Sequence, residues 1–463
     1  MSNAARSPDK ALRNKADSPG DSRRLRSRWR LYVLIVGLFA LASFAWLTGA
    51  LALAPMSLAR QAMQRRDSDK AEQWIRMAEW LHGDVAEREL LHARLARRRG
   101  DLRTMEYHLK KAGLAGADQQ RLFRERALAA AQAGQLREIE TTLIEWLQEA
   151  DPDSAEICDA YINGLAMQGR LSDAHMFLDG WQADFPNDPE PHLRRGRIAE
   201  HELDWESAEK QYRTALSKSP IYPPALYALG RLLRERKRPE EALPFYRSCV
   251  AHDAKTAAAA NVGVASCLRL TGKIAEARNL LQGVLSQTDA QRAEAYIRVR
   301  DKPAGDPAAF ELGKLESDET NYQHAEKWLR QSLAANPRDL EARYALGVAL
   351  QRLGRVEEAK RELEQVSRVR AKLAEIDPLH DRLGSNPADV QARYQIGVTY
   401  LEHQSELVGV YWIQSALAYD PDYAPAHRAL GEYYAARSRE SKDYAHLAEF
   451  HQNKAGSATG KQP

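Results

Sequence analysis

The 463 residues carry 44% apolar and 28% charged side chains at a formal net charge of +3. That composition excludes wholesale disorder, and the length exceeds what one hydrophobic core organises, which leaves several domains or one linear array of repeats. Residues 1–55 hold nine Lys/Arg against three Asp/Glu and the rest of the chain 58 against 61, so the near-neutral body argues against nucleic acid, whose binders carry a basic footprint over their folded part.

Residues 1–30 are polar and basic, with too little apolar surface to fold, and read as a disordered cytoplasmic tail. Residues 31–55, LYVLIVGLFALASFAWLTGALALAP, contain no charged side chain. A helix of about 20 such residues spans the roughly 30 Å hydrocarbon core, so this run is the expected transmembrane helix. Arg23, Arg24, Arg26, Arg28 and Arg30 precede it, whereas Asp67, Asp69 and Glu72 dilute the positives that follow. The positive-inside rule then keeps the N-terminus in the cytoplasm and places the remainder across the membrane, in the periplasm if the source is of Gram-negative type. A cleaved signal peptide is the competing reading, from Ala50-Leu51-Ala52 and Ala52-Leu53-Ala54. The apolar run is longer than a signal core, and Pro55 is poorly placed for cleavage.

Beyond the apolar run a 34-residue period organises the chain. Gly196 is followed by Ala208, Tyr212, Ala215 and Pro220; Gly230, one period later, by Ala242, Tyr246 and Cys249. Gly313 leads to Ala325, Leu329, Ser332 and Pro337, Gly347 to Ala359, Leu363 and Val366, and Gly397 to Gly409, Ile413, Ala416 and Pro421, with Gly431 following. Ala59, Ala93, Ala127, Ile162 and Ala265 stand at weaker markers. Gly100, Gly134, Gly169, Gly272 and Gly354, seven residues after a marker, are expected in the left-handed conformation that ends a first helix.

The pattern resembles the tetratricopeptide repeat family, whose unit is two antiparallel helices with small residues at their closest approach. The resemblance implies an all-α, right-handed superhelical solenoid of about eleven helix pairs preceded by the transmembrane helix. It divides the chain into divergent repeats at 56–188, repeats at 189–290, an insertion at 291–305, repeats at 306–372, an insertion at 373–389, repeats at 390–457 and a disordered tail at 458–463.

Little in the chain points to chemistry. No G-x-x-x-x-G-K-[ST] or G-x-G-x-x-G loop occurs, and His201-Glu202-Leu203-Asp204-Trp205 opens like a zinc-protease helix without its second histidine. The repeats leave no residues for a catalytic domain, so no enzymatic activity, cofactor or metal is expected. Cys158, Cys249 and Cys267 cannot all pair and read as small buried residues of helices, with a bridge between Cys249 and Cys267 on consecutive helices as the alternative.

Solenoids of this kind present a concave side lined by the first helix of each pair. Arg94, Arg97, Arg197, Arg231, Arg234, Arg269 and Lys314 are expected there as a basic track for an acidic peptide, because guanidinium groups grip carboxylates bidentately. Glu200, Glu235 and Asp318 lie close enough to neutralise it. The Lys and Asn with which some family members hold a peptide's terminal carboxylate are not at the matching places.

The expected function is a membrane-anchored scaffold that recruits a protein or peptide partner, touching the lipid bilayer through residues 31–55 and binding no nucleic acid. One alternative is an envelope or secretion-complex assembly factor whose anchor takes part through Gly37, Ala40, Ala42 and Ser43. The other is a ligand-sensing or carbohydrate-related protein with a pocket between repeats.

Overall fold

Helix pairs form here because small and large residues alternate at fixed spacing. A glycine on the first helix lets the second approach to backbone distance, and the bulky residue sixteen positions on fills the space alongside. The computed structural model describes residues 36, 50–149, 151, 153–201, 204–303, 305–386, 388–439 and 442–459. Among them every long element is helical.

The pairs, in chain order, are α1 (Leu53–Gln64) with α2 (Ser68–Trp80), α3 (Val85–Arg98) with α4 (Leu102–Leu114), α5 (Gln119–Gln132) with α6 (Glu140–Gln148), and α7 (Ser154–Met167) with α8 (Leu171–Asp184). Next come α9 (Glu190–His201) with α10 (Trp205–Lys218), α11 (Pro223–Glu235) with α12 (Pro239–His252), and α13 (Ala257–Leu270) with α14 (Ile274–Leu285). Helix α15 (Asp289–Arg298) stands outside the pairing. It is followed by α16 (Pro307–Asp318) with α17 (Tyr322–Ala335), α18 (Leu340–Arg352) with α19 (Val356–Ala374), the unpaired α20 (Asp377–Ser385), α21 (Val390–His403) with α22 (Glu406–Tyr419), and α23 (Ala424–Ala436) with α24 (Lys442–Thr459).

The expected punctuation is present. Gly100, Gly134, Gly169, Gly272 and Gly354 have φ of +73°, +80°, +70°, +79° and +76°. At the equivalent turn of other pairs the same conformation is held by Arg66, Lys237 and Thr320, which costs a side-chain-bearing residue about 1–2 kcal/mol. Helices α10, α17 and α22 end two residues before Pro220, Pro337 and Pro421. Asp67, Asp101 and Asp204 each cap a second helix by accepting a backbone N–H three residues on, at 2.9–3.0 Å.

Arg126 closes one compact unit and Ala127 opens a second. In the first unit, Ala59, Met63, Ala71, Ile75, Leu91 and Leu95 form a core. Its first pair begins inside the apolar run, for Ala52 and Met56 are buried with Ala78. Residues 31–35 and 37–49 of the expected transmembrane helix, with the stripe Gly37, Ala40, Ala42 and Ser43, lie outside the described residues, as does the tail 1–30. Among the described residues no helix is long and apolar enough to cross a membrane.

In the second unit the marker glycines do what their spacing predicts. A Cβ on Gly230 would come within 3.2 Å of the Tyr246 ring, and one on Gly313, Gly347 or Gly397 within 2.6–2.8 Å of Leu329, Leu363 or Ile413. Late helices also return to early ones: Ser415 Cβ lies 2.4 Å from where a Cβ on Gly169 would be, and Tyr411 stacks on His201 with ring centroids 5.7 Å apart.

Candidate functional site

Four first helices of the second unit, α9, α11, α13 and α16, carry arginines and glutamates that face one another across pairs. Their placement follows from the repeat. Gly196 and Gly230 turn one side of α9 and α11 toward the partner helix, so the residue after each marker, Arg197 and Arg231, is turned away from that contact.

Arg231 bonds Glu200 of the preceding pair at 2.5 Å and reaches Glu235 at 3.5 Å. Arg234 lies 3.8 Å from Glu235. Arg269 links α13 to α16 through Glu311 at 3.2 Å and Asp318 at 2.8 Å. Lys314 lies over the Phe310 ring, 4.9 Å from its centroid. Arg231, Arg234 and Arg269 of the expected basic track thus each lie against an acid, with Glu200, Glu235 and Asp318 in the neutralising role and Glu311 added to them.

In the first unit Arg94 and Arg97 both bond Glu125, each through Nε at 2.8 Å. The Arg97 side chain has no accessible surface, so it joins helices and cannot touch a ligand.

One cluster is denser than the rest. Glu190, wholly buried at the start of α9, accepts from Arg194 at 3.1 Å, from the Tyr222 hydroxyl and from Arg300. Arg194 also bonds Asp159 at 2.7 Å and Asn163 at 3.1 Å, and Arg300 lies 3.7 Å from Asp159. Arg197 donates to the backbone carbonyl of Arg300. Burial, aided by Arg194, lowers the Arg197 pKa, because its charge has found a carbonyl rather than a carboxylate. At Arg300 burial also opposes the charge, but Glu190, Tyr222 and Asp159 overcome it and raise the pKa.

Arg300 comes from the expected insertion. Helix α15 opens with a capping box between Thr288 and Gln291 and is tied down by Arg298 to Asp253 at 3.2 Å. Tyr296 meets Tyr227 edge to face at 6.4 Å, and Val299 is wholly buried. The next residue, Arg300, takes φ +53° and turns its side chain onto Glu190, 110 positions earlier. The 34-residue comparison marks 291–305 as extra and says nothing of where it goes, so this contact has no sequence signal.

A second feature was legible but unread. Arg170, Arg238 and Arg355, in the turn between paired helices, each bond an acid three residues on and reach back to the preceding pair, to Glu140 at 2.6 Å, Glu209 at 2.7 Å and Glu326 at 2.6 Å. The signal is Arg-x-x-[Asp/Glu] at Arg170-Asp173, Arg238-Glu241 and Arg355-Glu358. These clasps join neighbouring pairs on a surface other than the candidate face.

Cys158, Cys249 and Cys267 are all free and buried, so Cys249 and Cys267 form no bridge. Burial raises the three thiols to about 12, 12 and 11, which leaves them unreactive near neutrality. Among the described residues no group of three His, Cys, Asp or Glu could hold a metal ion.

No curated protein matches the chain. Among solved structures it is similar to PilW, a type IV pilus biogenesis factor, at 19% identity and a TM-score of 0.37, over 44% of this chain and 90% of that one. It is similar to YrrB, described as a TPR protein with an unusual peptide-binding site, at 22% identity and a TM-score of 0.26, over 47% and 96%. The Cut9–Hcn1 hetero-tetramer of the APC/C matches over 83% of this chain and 87% of that one, at 14% identity and a TM-score of 0.37. Two family models, both described as tetratricopeptide repeat, match residues 193–255 and 317–383. Those two stretches, which hold α9 to α12 and α17 to α19, are tetratricopeptide repeats.

Proposed function

We propose that the chain is a non-catalytic scaffold, a right-handed superhelix of about eleven helix pairs that recruits a protein partner through the face formed by α9, α11, α13 and α16. Residues 31–55 tether it to a membrane, with the N-terminus cytoplasmic and the repeats on the other side. The observation that carries this reading is the recurrence of one kind of ion pair between the first helices of neighbouring pairs, Arg231 of α11 bonding Glu200 of α9 and Arg269 of α13 bonding Glu311 of α16. Alternating charges on such a face favour a partner whose own charges match their register, which supplies specificity more than raw affinity. The partner on this reading is not simply acidic, because the arginines are already matched.

The double exchange Glu200→Arg with Arg231→Glu tests it by keeping the ion pair and reversing its sense. With helicity and melting unchanged, partner capture from intact membranes is expected to fall at least tenfold. Undiminished capture would rule this face out. A C-terminal tag protected from protease until the outer barrier is opened would support the topology, and digestion from the cytoplasmic side would reverse it.

A further inference from the structure

Resting on that reading, we propose that Asp159, Glu190, Tyr222 and Arg197 form a receptor for one arginine carried on an extended peptide. The chain's own Arg300 fills this receptor, and the partner is a basic segment that presents an arginine in its place.

The contacts divide as peptide recognition divides. Glu190 and Asp159 take the guanidinium, and the Tyr222 hydroxyl holds the other oxygen of Glu190 in place. Arg197 takes a backbone carbonyl. Without Arg300 the pocket would hold Glu190, Asp159 and the nearby Asp188 against Arg194 and Arg197, one negative charge in excess, so it selects a cation. A cation at Arg197 itself would be repelled, so the ligand must offer main-chain carbonyl there, which excludes a free polyamine and requires a peptide.

The occupying segment is built to be separable. Its anchors, Tyr296 and Val299, precede Arg300 and pack on the second unit without it. Arg300 takes the left-handed conformation that ends α15, with its N–H bonded to the Ile297 carbonyl and the Asp301 N–H to the Tyr296 carbonyl, so the backbone cap does not depend on the side chain staying in the pocket. Its side chain remains 26% exposed, so the pocket opens to solvent at the side from which a partner would enter. An intramolecular ligand acts at an effective concentration in the millimolar range, so the intact chain binds a competing peptide weakly until that segment leaves.

The test uses the full-length chain in detergent and a fluorescein-labelled peptide with the sequence of residues 295–302, Ala-Tyr-Ile-Arg-Val-Arg-Asp-Lys, beside a control with alanine in place of its second arginine. Anisotropy titration of R300A is expected to give at least tenfold tighter binding of the arginine peptide than the unaltered chain gives, and at least tenfold weaker binding of the control. Equal binding of the two peptides by folded R300A, or none, overturns the proposal. If R300A does not fold, hydrogen exchange of residues 299–303 in the unaltered chain decides: acceleration by millimolar arginine peptide and not by the control supports displacement, and no acceleration overturns it. Arginine-selective binding with no partner recovered from membranes would leave the receptor and remove the scaffold reading. A partner recovered equally well with R300A, beside no peptide binding, would do the reverse.

Discussion

Tyr212 lies across Gly196 so closely that a Cβ on the glycine would sit 2.4 Å from Cε1 of the ring. The same relation recurs where Tyr246 meets Gly263, again at 2.4 Å. Two residues sixteen or seventeen positions apart thus set how near paired or successive helices come, and the rest of the candidate face is positioned by that spacing.

Gly196→Ala and Gly263→Ala are therefore expected to lose stability by about 1–3 kcal/mol through overpacking. Gly180→Ala, in α8 with nothing within 4 Å of its Cβ position, is expected to gain about 0.5–1 kcal/mol. Urea midpoints measure all three. Equal effects at the three sites would mean that the ring contacts do not set the packing.

Thr320 holds φ +62° at the turn where Gly354 holds φ +76° one period later. Thr320→Gly is expected to stabilise by about 1 kcal/mol and Gly354→Ala to destabilise by a similar amount. Midpoints that shift in opposite directions at constant m-value would bear this out; a loss at Thr320→Gly would contradict it.

Much of the fold was legible because its determinants are local and periodic. The glycine markers, their bulky partners, the left-handed glycines and the terminating prolines are short-range choices repeated every 34 residues. Glu200, Glu235 and Asp318 were readable as neutralising partners for the same reason. The contact of Arg300 with Glu190 was not, because it joins positions 110 apart through a segment that breaks the period. Nor was the return of Tyr411 to His201, which depends on the small rotation accumulated over many pairs. Arg97 has the repeat position of a groove residue, and that position does not show that Glu125 of the next pair holds it.

Arg97→Ala is accordingly a stability variant. It leaves Glu125, 4% exposed at the side chain, with one cation fewer in a buried site, and removing one partner of such a pair costs about 3–5 kcal/mol. Limited proteolysis should then cut within residues 50–126 at a denaturant concentration that leaves the second unit intact. Protection equal to the unaltered chain would mean that the pair contributes little.

His427 and His451 give the C-terminal pair a pH dependence. Nε2–H of His427 donates to the Pro421 carbonyl, which leaves its Nδ1 to accept from Nδ1–H of His451 at 2.8 Å. Burial and the neighbouring His427 lower His451 to about 4, and burial lowers His427 as well. Below the unfolded value of 6.5 the unfolded chain binds protons that the folded pair refuses, so stability present above pH 6.5 is lost progressively as pH falls toward 4. The His451 shift corresponds to a loss on the order of 3 kcal/mol. Protection factors in α23 and α24, with the intrinsic slowing of exchange at lower pH divided out, should fall from pH 7 to pH 5 and fall less in His451→Phe; the same fall in both would contradict it.

A partner on the face of α9, α11, α13 and α16 would lie within reach of position 234 and away from position 210. Photo-crosslinking in intact membranes, from a residue placed at Arg234 on that face or at Lys210 on the second helix of a pair, reads this out. One defined cross-linked protein from position 234 and none from position 210 is the expected result. The same product from both positions, or only from Lys210, would contradict it.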